Sequence, residues 1–538
     1  MANKNLFKTS KKNTVVKADT VNNAGGLAYS YSDKQSLAQI AATNCFNGTF
    51  YTSAEDNLAL AKEIALRLKS DPYYIAQVAI FSREKAYMKD MPAFLCVLLS
   101  ELDTKLFRKV FRRVVDNGKM LRNVIQMARS GAVTGKVANM SSGKWRNAIQ
   151  EWFNTRSPAS LFKAYIGQNP SIRDIMRMAR PKPNSPEKEA LFAYFVGKEV
   201  VTSDDPNRKT QVSLNSLPEP VLSYEKYKRD KRCKVPNVDF RLLDSLGIGD
   251  KEWAKIAENA PWMMTRMNLN TFGRHNVFKD NNVSHKVSDR LQNKEEIEKA
   301  KAFPYQLYVA WREVEKNSTV PFSVKNALQD AMEIAIDNVP VINGNVQVCV
   351  DMSGSMGNPI TGNSDKKSSS VQCVEVAGLI ASAILRKNRG STIWTFNHMA
   401  VKANLNPRDT VLTNTAKLSK AGGGTSISLP MVQMNKDNVK ADVVIYVSDN
   451  ESWLDSRYSY SGATDLAEEW VKFKKRNPNA KLICIDLTPS NTSQINVRPD
   501  VLQVGGWSDS CFDVIANFVE HGNKAEFWVK EIEKISVE

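Results

Sequence analysis

The 538-residue chain has few histidines and no paired cysteine motif, and both shortages limit the kinds of metal site and redox site that it can form. Its four histidines are scattered, and its seven cysteines contain no C-x-x-C pair, which excludes the common zinc and redox motifs. An odd, unclustered cysteine count is typical of a reducing compartment. No apolar run is long enough to span a membrane, and the first residues lack the apolar core of a signal peptide. We therefore expect a cytoplasmic protein.

Motifs for phosphoryl and acyl transfer are missing as well. Asp351-Met-Ser353 lacks the second aspartate of phosphoryl-transferring Asp-x-Asp motifs, and the glycine run at 422–424 lacks the lysine of a phosphate-binding loop. The segment 354–357 is not a Gly-x-Ser-x-Gly nucleophile elbow. We therefore expect a binding protein and not an enzyme.

Charge is distributed unevenly along the chain. Residues 341–538 contain 21 basic and 21 acidic side chains, whereas residues 1–340 contain 53 and 36 and carry the whole net charge of +17. Within that part, Lys105 to Lys182 holds 17 basic residues and three acidic ones. A block of one sign indicates a polyanionic partner, most simply a nucleic acid. The alternative is a set of solvated helix faces, although such faces usually mix both signs.

Helical periodicity dominates the chain up to about residue 340. Residues 1–23 are polar and are predicted to be a mobile arm. Residues 24–340 are predicted to form one α-helical repeat domain of stacked helix pairs, as in HEAT or armadillo repeats. The clearest helical segments are ten to fifteen residues long with short connectors: 73–87, 93–102, 105–115, 120–129, 144–154 and 172–179.

The pattern changes after residue 340. Apolar strands at 346–350, 391–395, 442–447 and 481–487 alternate with helical segments such as 371–386 and 464–476. This alternation predicts an α/β domain over 341–538, in which a doubly wound, mostly parallel sheet is covered on both faces.

Oxygen-bearing side chains follow these strands. Alternation along an extended segment brings Asp351, Ser353 and Ser355 to the same side, directly after the first strand. A glycine-rich loop ends at Thr425, and a second buried-type strand ends at Asp449. Sites of open α/β sheets lie outside the carboxyl ends of the strands. Because carboxylate and hydroxyl oxygens suit a small hard cation, we predict a divalent cation here, most simply Mg²⁺.

These five positions resemble the metal-ion-dependent adhesion site of the von Willebrand factor A domain, which combines Asp-x-Ser-x-Ser with a distant Thr and a distant Asp. A basic helical-repeat domain followed by an A domain resembles the Ro autoantigen family, whose helical part is called the TROVE domain. The segments that carry this resemblance are 145–153, 174–183, 303–310, 441–451 and 512–518.

The resemblance implies a monomeric ring of helical repeats that is closed by the A domain. It also implies a small ribonucleoprotein that holds noncoding Y-like RNAs and misfolded RNAs in RNA quality control or processing. Single-stranded RNA ends would enter the ring, structured RNA would lie on the basic outer surface, and an exoribonuclease or another protein would be a partner. Electrostatic contacts of this kind are salt-dependent and tolerate many sequences.

The residues predicted to contact RNA are basic side chains of the helical domain, with one histidine: Lys119, Arg122, Arg129, Lys136, Lys144, Arg146, Lys163, Arg173, Arg177, Arg180, Lys182, Arg274 and His275. Structural capping is an equally good explanation for Arg274 and His275. The chain departs from the family where Arg180 aligns with a histidine and Gly167 with a basic residue, while Lys163 keeps its counterpart. The basic loop 224–236 is either a solvated insertion or a phosphate contact.

A second class of function also fits the residues. In an adhesion or scaffold protein, the A domain would capture an acidic protein partner through its cation, and the helices would serve as a spacer. If the protein binds RNA, its affinity for RNA should fall steeply as salt rises. If it is a scaffold, removal of the cation should abolish binding of the protein partner, and its affinity for RNA should be negligible.

Overall fold

The structure, a computed structural model, describes residues 15–202, 210–363, 371–455, 462–508, 510–522 and 524–538. The helices up to residue 300 are α1 (Asp33–Thr43), α2 (Ala54–Arg67), α3 (Pro72–Glu84), α4 (Asp90–Leu102), α5 (Thr104–Val114), α6 (Gly118–Ser130), α7 (Gly143–Thr155), α8 (Pro158–Ala164), α9 (Ile172–Ala179), α10 (Pro186–Phe195), α11 (Glu219–Arg229), α12 (Phe240–Asp244), α13 (Asp250–Asn259), α14 (Trp262–Met267), α15 (Leu269–Arg274), α16 (Asn281–Leu291) and α17 (Lys294–Lys299). The later helices are α18 (Pro304–Val314), α19 (Phe322–Ala335), α20 (Cys373–Lys387), α21 (Val411–Leu418), α22 (Leu429–Lys436), α23 (Asp465–Arg476), α24 (Ser510–His521) and α25 (Phe527–Glu533).

The strands lie mainly in the last 200 residues. They are β1 (Thr20–Val21), β2 (Leu27–Ser30), β3 (Glu199–Val201), β4 (Gln211–Ser213), β5 (Val346–Asp351), β6 (Thr392–Phe396), β7 (Ala400–Lys402), β8 (Val443–Ser448), β9 (Lys481–Asp486), β10 (Thr492–Ser493) and β11 (Val501–Gly505). In the described part of the chain, no helix is both long enough and apolar enough to cross a bilayer.

The chain divides into two compact units. The first, called here the A unit, combines the chain up to residue 64 with residues 301–312 and 332–531. The second, the helical unit, contains residues 65–300, 313–331 and 532–538. These units cut across the contiguous domains 24–340 and 341–538 that were predicted from the sequence.

A six-stranded sheet forms the centre of the A unit. Its order is β11-β9-β8-β5-β6-β7, and every neighbouring pair is parallel except β6 and β7. Every residue of β5 and β8 is buried, because helices cover both faces of the sheet. Trp394, Tyr446 and Trp470 belong to the core cluster of this unit. The predicted doubly wound, mostly parallel sheet is confirmed.

The segment 15–64 belongs to the A unit because its strands and side chains contact strands and loops of that unit. β2 pairs with β10, and Tyr29 lies in the core cluster. The Tyr31 hydroxyl donates to Asp486 Oδ2 over 2.7 Å, and the Asn22 amide donates to the carbonyl of Ser452. Residues 1–14 of the predicted mobile arm lie outside the described residues, but residues 15–23 are fixed by these contacts and do not form an arm.

The helical unit consists of short amphipathic helices, as the sequence predicted. On α5, Phe107, Val110, Phe111 and Val114 are buried at helical spacing, while the basic residues between them face outward. Trp145 of α7 packs edge-to-face on Phe107, with ring centroids 4.7 Å apart. The predicted helical segments agree with α3 to α7 and α9 to within a few residues. The spacing of apolar residues predicts these helices because each helix must bury one face.

Candidate cation site and candidate nucleic-acid interface

Five buried oxygen-bearing side chains meet at the carboxyl edge of the central sheet. β5 and β8 are adjacent parallel strands, so Asp351 at the end of β5 and Asp449 just after β8 leave the sheet side by side. Ser353 and Ser355 follow β5, and Thr425 comes from the loop after α21. None of the five is more than 5% exposed. The structure therefore brings together the residues that were predicted to form the cation site.

Glycines allow the loop that carries Thr425 to approach the loop after β5. The Gly354 N–H donates to the Gly423 carbonyl over 2.9 Å, and the Gly422 N–H donates to the Met352 carbonyl over 2.8 Å. Gly423 has a φ of +82°, and a Cβ there would lie 2.6 Å from His398 Nδ1. A residue with a side chain would not fit without a shift of this loop.

Hydrogen bonds orient the oxygen atoms of the site. Asp351 Oδ1 accepts from the Ser353 N–H over 2.8 Å, and Asp351 Oδ2 accepts from the Ser448 hydroxyl over 2.6 Å. The hydroxyls of Ser353 and Ser355 are 3.3 Å apart. These bonds hold the donors in place while leaving lone pairs for a ligand.

Two buried carboxylates at this edge repel each other. Burial, followed by the charge of Asp449, raises the pKa of Asp351 to about 7. Burial also raises the pKa of Asp449. Because each carboxylate is buried and faces a like charge, a divalent cation between them would favour the ionised forms of both.

The donor set fits a hard cation. Nowhere in the described ranges do three or more His, Cys, Asp or Glu side chains gather in a metal-binding group. Two carboxylates and three hydroxyls are instead the oxygen ligands that Mg²⁺ accepts while it keeps several waters. A cavity of about 20 Å³, with room for about one water, borders Ser355 and Asp449.

Sequence reasoning missed the residues that the N-terminal segment brings to this site. The Tyr51 side chain interacts with the Ser355 hydroxyl, and burial together with the charge of Asp449 raises the pKa of its phenol to about 12. The Asn23 amide donates to Glu451 Oε1 over 2.8 Å. Burial, followed by the charge of Asp449, raises the pKa of Glu451 to about 8. No local pattern reveals these neighbours, because they lie roughly 300 to 430 residues from their partners along the chain.

Ion pairs neutralise much of the basic surface of α5. Arg108 and Arg112 both reach Glu151, with Arg112 Nε 2.5 Å from Glu151 Oε1. Lys109 pairs with Glu538 over 2.7 Å, and Arg113 pairs with Glu84 over 2.6 Å. Four of the five cations of α5 therefore have a carboxylate partner within the helical unit, and two of them share Glu151.

Some of the predicted RNA contacts also have structural partners. Lys144 donates to the Ser100 carbonyl and pairs with Glu101 over 2.6 Å. Arg173 donates to the Phe195 carbonyl over 3.4 Å and is partly buried. The side chains of both residues hold neighbouring helices together, so only part of each is open to a ligand.

The Arg122 side chain lies against the backbone of Gly167, which has no side chain to fill that space. Its guanidinium donates to the Ala164 carbonyl over 2.9 Å, and it lies 2.9 Å from where a Cβ of Gly167 would be. Burial and then the charge of Arg241 lower its pKa. Arg241 forms hydrogen bonds with Asp239, and Lys163 lies 3.9 Å from the same carboxylate. Sequence reasoning missed Arg241, which lies outside the basic block.

Within the block from Lys105 to Lys182, seven of the predicted contacts are exposed and have no described carboxylate within 4 Å of their charged nitrogens. We call them the unpaired cation set: Lys119, Arg129, Lys136, Arg146, Arg177, Arg180 and Lys182. Arg129 of α6 and Arg177 of α9 both act on Asp174, although a hydrogen bond from Ser171 is the main cause of the lowered pKa of that carboxyl. The two arginines therefore lie on neighbouring parts of the surface.

The end of α9 is firmly anchored. Arg180 adopts a left-handed conformation with a φ of +46°, and its N–H donates to the Met176 carbonyl. The Gln150 amide donates to the carbonyls of Ala179 and Arg180, each over 3.0 Å, while the Asn154 amide donates to the Lys182 carbonyl over 3.0 Å. These bonds pair the carbonyls of Ala179, Arg180 and Lys182, and the side chains of Arg180 and Lys182 are exposed.

Arg274 and His275 have local partners. The Arg274 guanidinium donates to the Thr271 hydroxyl over 3.1 Å. The imidazole of His275 stacks on Trp253, with ring centroids 4.1 Å apart and an interplanar angle of 13°. Their role as RNA contacts stays a prediction. The contacts that they make in the structure fit the alternative, in which both residues have a structural role.

Comparisons with known proteins agree with this architecture. Residues 345–519 match the model of the Ro60 vWA domain. A relative from Deinococcus radiodurans named RNA-binding protein RO60 is 24% identical over 540 residues, covering 92% of this chain and 94% of that protein. The crystal structure of the Deinococcus radiodurans RO (RSR) protein matches with a TM-score of 0.60 at 17% identity, covering 91% of this chain and 99% of that one.

Fold and site together define the class: a helix-rich region combined with a von Willebrand factor A domain whose sheet edge has the residues of an adhesion-type cation site. The resemblance noted in the sequence is confirmed by the match of the A domain and by the full-length matches. Residues 345–519 are similar to the Ro60 vWA domain, and nearly the whole chain is similar to the Ro protein of Deinococcus radiodurans.

Proposed function

We propose that this chain binds RNA through the unpaired cation set of the helical unit. The observation that carries the proposal is a contrast along the basic block: four of the five cations of α5 reach a carboxylate, whereas the seven cations of the unpaired cation set have no described carboxylate within 4 Å. Uncompensated, exposed lysines and arginines attract phosphates and release counterions when RNA binds. The name of the relative from Deinococcus, RNA-binding protein RO60, supports the same assignment.

The RNA class follows from the family resemblance. We propose small noncoding, Y-like RNAs and misfolded RNAs with single-stranded ends as the ligands, in RNA quality control or processing. A further protein such as an exoribonuclease is the expected partner, and the protein is expected to act as a monomer. Contacts to phosphates by flexible cations tolerate many sequences, which suits a protein that holds diverse RNAs.

The A unit is proposed to bind a divalent cation, most simply Mg²⁺. Asp351, Ser353, Ser355, Thr425 and Asp449 would hold it, because their oxygens are buried at one sheet edge and two of them are carboxylates that repel each other. When bound, the cation would supply a Lewis-acidic point to which a carboxylate of a partner attaches. We propose a role in binding and none in catalysis for this site.

A salt series with neutralised variants tests the RNA proposal. The triple variant Arg177→Gln, Arg180→Gln and Lys182→Gln should bind a single-stranded-tailed RNA more weakly, and its log affinity should fall less steeply with log salt by about 2, because about 0.7 counterions are released for each phosphate contact. Fluorescence anisotropy in full-length protein measures both.

The matched control removes the same charge from the A unit. Lys436, Lys440 and Lys475 are exposed, and their replacement by Gln should leave the RNA affinity and its salt dependence unchanged. Equal losses in both triple variants would mean that only net charge matters and would contradict an interface on the helical unit. Equal affinity of wild-type protein for tailed and blunt RNAs would contradict the binding of free ends.

The second candidate function is adhesion to an acidic protein, with the helices as a spacer. A cleft of about 400 Å³ beside the cation site, lined among others by Ser355, Thr425 and Trp453, favours it as an additional role. Removal of the cation should abolish binding of such a partner and should leave the RNA affinity unchanged.

A further inference from the structure

The segment 180–183, which follows α9, carries two members of the unpaired cation set on a stiff backbone. Its sequence is Arg180-Pro181-Lys182-Pro183. Each proline fixes its own φ at about −65° and restricts the residue before it, so the segment has few conformations available. Arg180 also has a φ of +46°, in the left-handed region that residues with a side chain rarely adopt. An exposed arginine therefore stands where glycine would meet less strain.

Two amides of α7 hold this segment by its backbone. Gln150 donates to the carbonyls of Ala179 and Arg180, each over 3.0 Å. One helical turn later, Asn154 donates to the carbonyl of Lys182 over 3.0 Å. Because Gln150 and Asn154 are about 6 Å apart along the helix axis, the segment follows α7 over that distance. Both amides bond main-chain oxygens, and the side chains of Arg180 and Lys182 are exposed.

Asn154 also fixes the chain on the far side of the segment. Its carbonyl accepts hydrogen bonds from the Asn184 amide, over 3.3 Å, and from the Lys188 ammonium. Lys188 lies in the first turn of α10 and is 8% exposed. The Ser185 hydroxyl accepts from the Lys188 N–H and caps the same helix. The segment is thus held between the end of α9 and the start of α10, with Asn154 bonded both to it and to the residues that follow it.

We propose that residues 180–183 form a preorganised clamp for neighbouring phosphates of one RNA strand, and that Gln150 and Asn154 are its positioning residues. The Arg180 guanidinium would bind one phosphate and the Lys182 ammonium the next, while the two amides would not touch the RNA. A cation on a mobile loop loses conformational freedom when it binds, and that loss weakens binding. In this segment the freedom of the backbone is already lost when the protein folds. This inference rests on the proposed RNA interface.

Charge and conformation favour this role over that of a loop connection alone. A connection between α9 and α10 needs neither cation, and glycine at position 180 would relieve the left-handed backbone, as Gly131 does where α6 ends. Arg146 lies one turn before Gln150 on the same face of α7 and belongs to the unpaired cation set. Exposed cations therefore continue along α7 beyond the clamp. A row of this kind matches a polymer with regularly spaced phosphates, not a single anion.

A salt series with full-length protein and a single-stranded-tailed RNA tests the inference by fluorescence anisotropy. Gln150→Met and Asn154→Leu keep the size and charge of the side chains but remove their amides. The double variant should bind the RNA about tenfold more weakly, because the clamp must now be ordered on binding. The dependence of its log affinity on log salt should match that of the wild type, because the cations and the phosphates that they contact are the same. Neutralising the cations instead should lower both the affinity and this dependence.

Two further variants separate positioning from general structure. Pro181→Gly combined with Pro183→Gly loosens the segment without altering α7 and should give the same loss of affinity with the same salt dependence. It therefore tests the clamp even if the α7 substitutions unfold the helical unit. Added to the charge-neutralised triple variant, the two α7 substitutions should cause no further loss, because they act through cations that are already absent.

The matched control is Asn259→Leu, which removes an amide that donates to the Lys255 carbonyl over 2.8 Å in α13 and should leave the RNA affinity unchanged. If the charge-neutralised triple variant binds RNA as the wild type does, the RNA interface is refuted and the clamp falls with it. If that variant binds more weakly, three outcomes overturn the clamp alone: wild-type affinity in the α7 and proline variants, a flatter salt dependence in the α7 double variant, or an equal further loss when its substitutions are added to the triple variant.

Discussion

An Asp351→Asn substitution should make the cation-free protein more stable at pH 8. Burial and Asp449 raise the pKa of Asp351 from 3.8 to about 7. At about 1.4 kcal/mol for each pH unit, ionising this buried carboxyl reduces the free energy of unfolding by roughly 4 kcal/mol. The amide carries no charge and keeps the acceptor for the Ser353 N–H. Allowing for the altered bond to Ser448, we expect a net gain of about 1–3 kcal/mol.

The same pKa sets the direction of the pH dependence. Between pH 3.8 and about 7, folded Asp351 still binds a proton that the unfolded chain has already released. The free energy of unfolding of the cation-free wild type should therefore fall as the pH rises through this interval. The variant has no such proton, so its stability should change less over the same interval.

Urea unfolding with and without excess Mg²⁺ provides the assay. Because the chain has two compact units, hydrogen exchange in β5 and β8 reports the A unit by itself. Mg²⁺ should stabilise the wild type more at pH 8 than at pH 5 and should have little effect on the variant. Asp513→Asn, on the exposed side of α24, is the matched control and should behave as the wild type. A variant that is less stable than the wild type at pH 8 without cation, or equally stabilised by Mg²⁺, would refute this reasoning.

Three further substitutions test the helical unit. A Cβ on Gly118 would lie 2.5 Å from the Cβ of Ala164, so Gly118→Ala should lower the free energy of unfolding by about 1–3 kcal/mol in urea, whereas Gly143→Ala, with nothing within 4 Å, should not. His275→Ala should cost about 1 kcal/mol in the same assay, because it removes the stack on Trp253. Replacing Arg108 and Arg112 by Gln should change RNA affinity by less than about twofold, since both already pair with Glu151; a tenfold loss by anisotropy would place RNA on α5.

Local periodicity was sufficient to predict most elements of the fold. The strands that became β5, β6, β8 and β9 lie within a residue or two of their predicted bounds, because a buried parallel strand is a short apolar run. Short or partly polar strands such as β7 and β10 carry no such signal. Their pairing depends on neighbours that are distant in the sequence, as in the bonding of β10 to β2.

The candidate cation site was predictable for a related reason. Its five oxygen-bearing residues follow strands, and a parallel sheet gathers the carboxyl ends of its strands at one edge. Tyr51 and Asn23 were not predictable, because they reach that edge only through the packing of the N-terminal segment. Composition changes near residue 340, but contacts assign residues 15–64 to the A unit, and no local pattern indicates that packing.

Net charge along the sequence predicted which region is basic, but it did not predict which cations of that region already pair with carboxylates. Lys105 to Lys182 is strongly basic, yet four of the five cations of α5 meet carboxylates from three places in the helical unit: Glu84, Glu151 and Glu538. Two of these acids lie outside the block, so a count within it misses them. A phosphate would have to displace an existing carboxylate on α5, whereas at Arg177, Arg180 or Lys182 it would meet an exposed cation with no such competitor. Affinity for RNA should therefore depend more on the unpaired cation set, which begins at Lys119, than on the cations of α5.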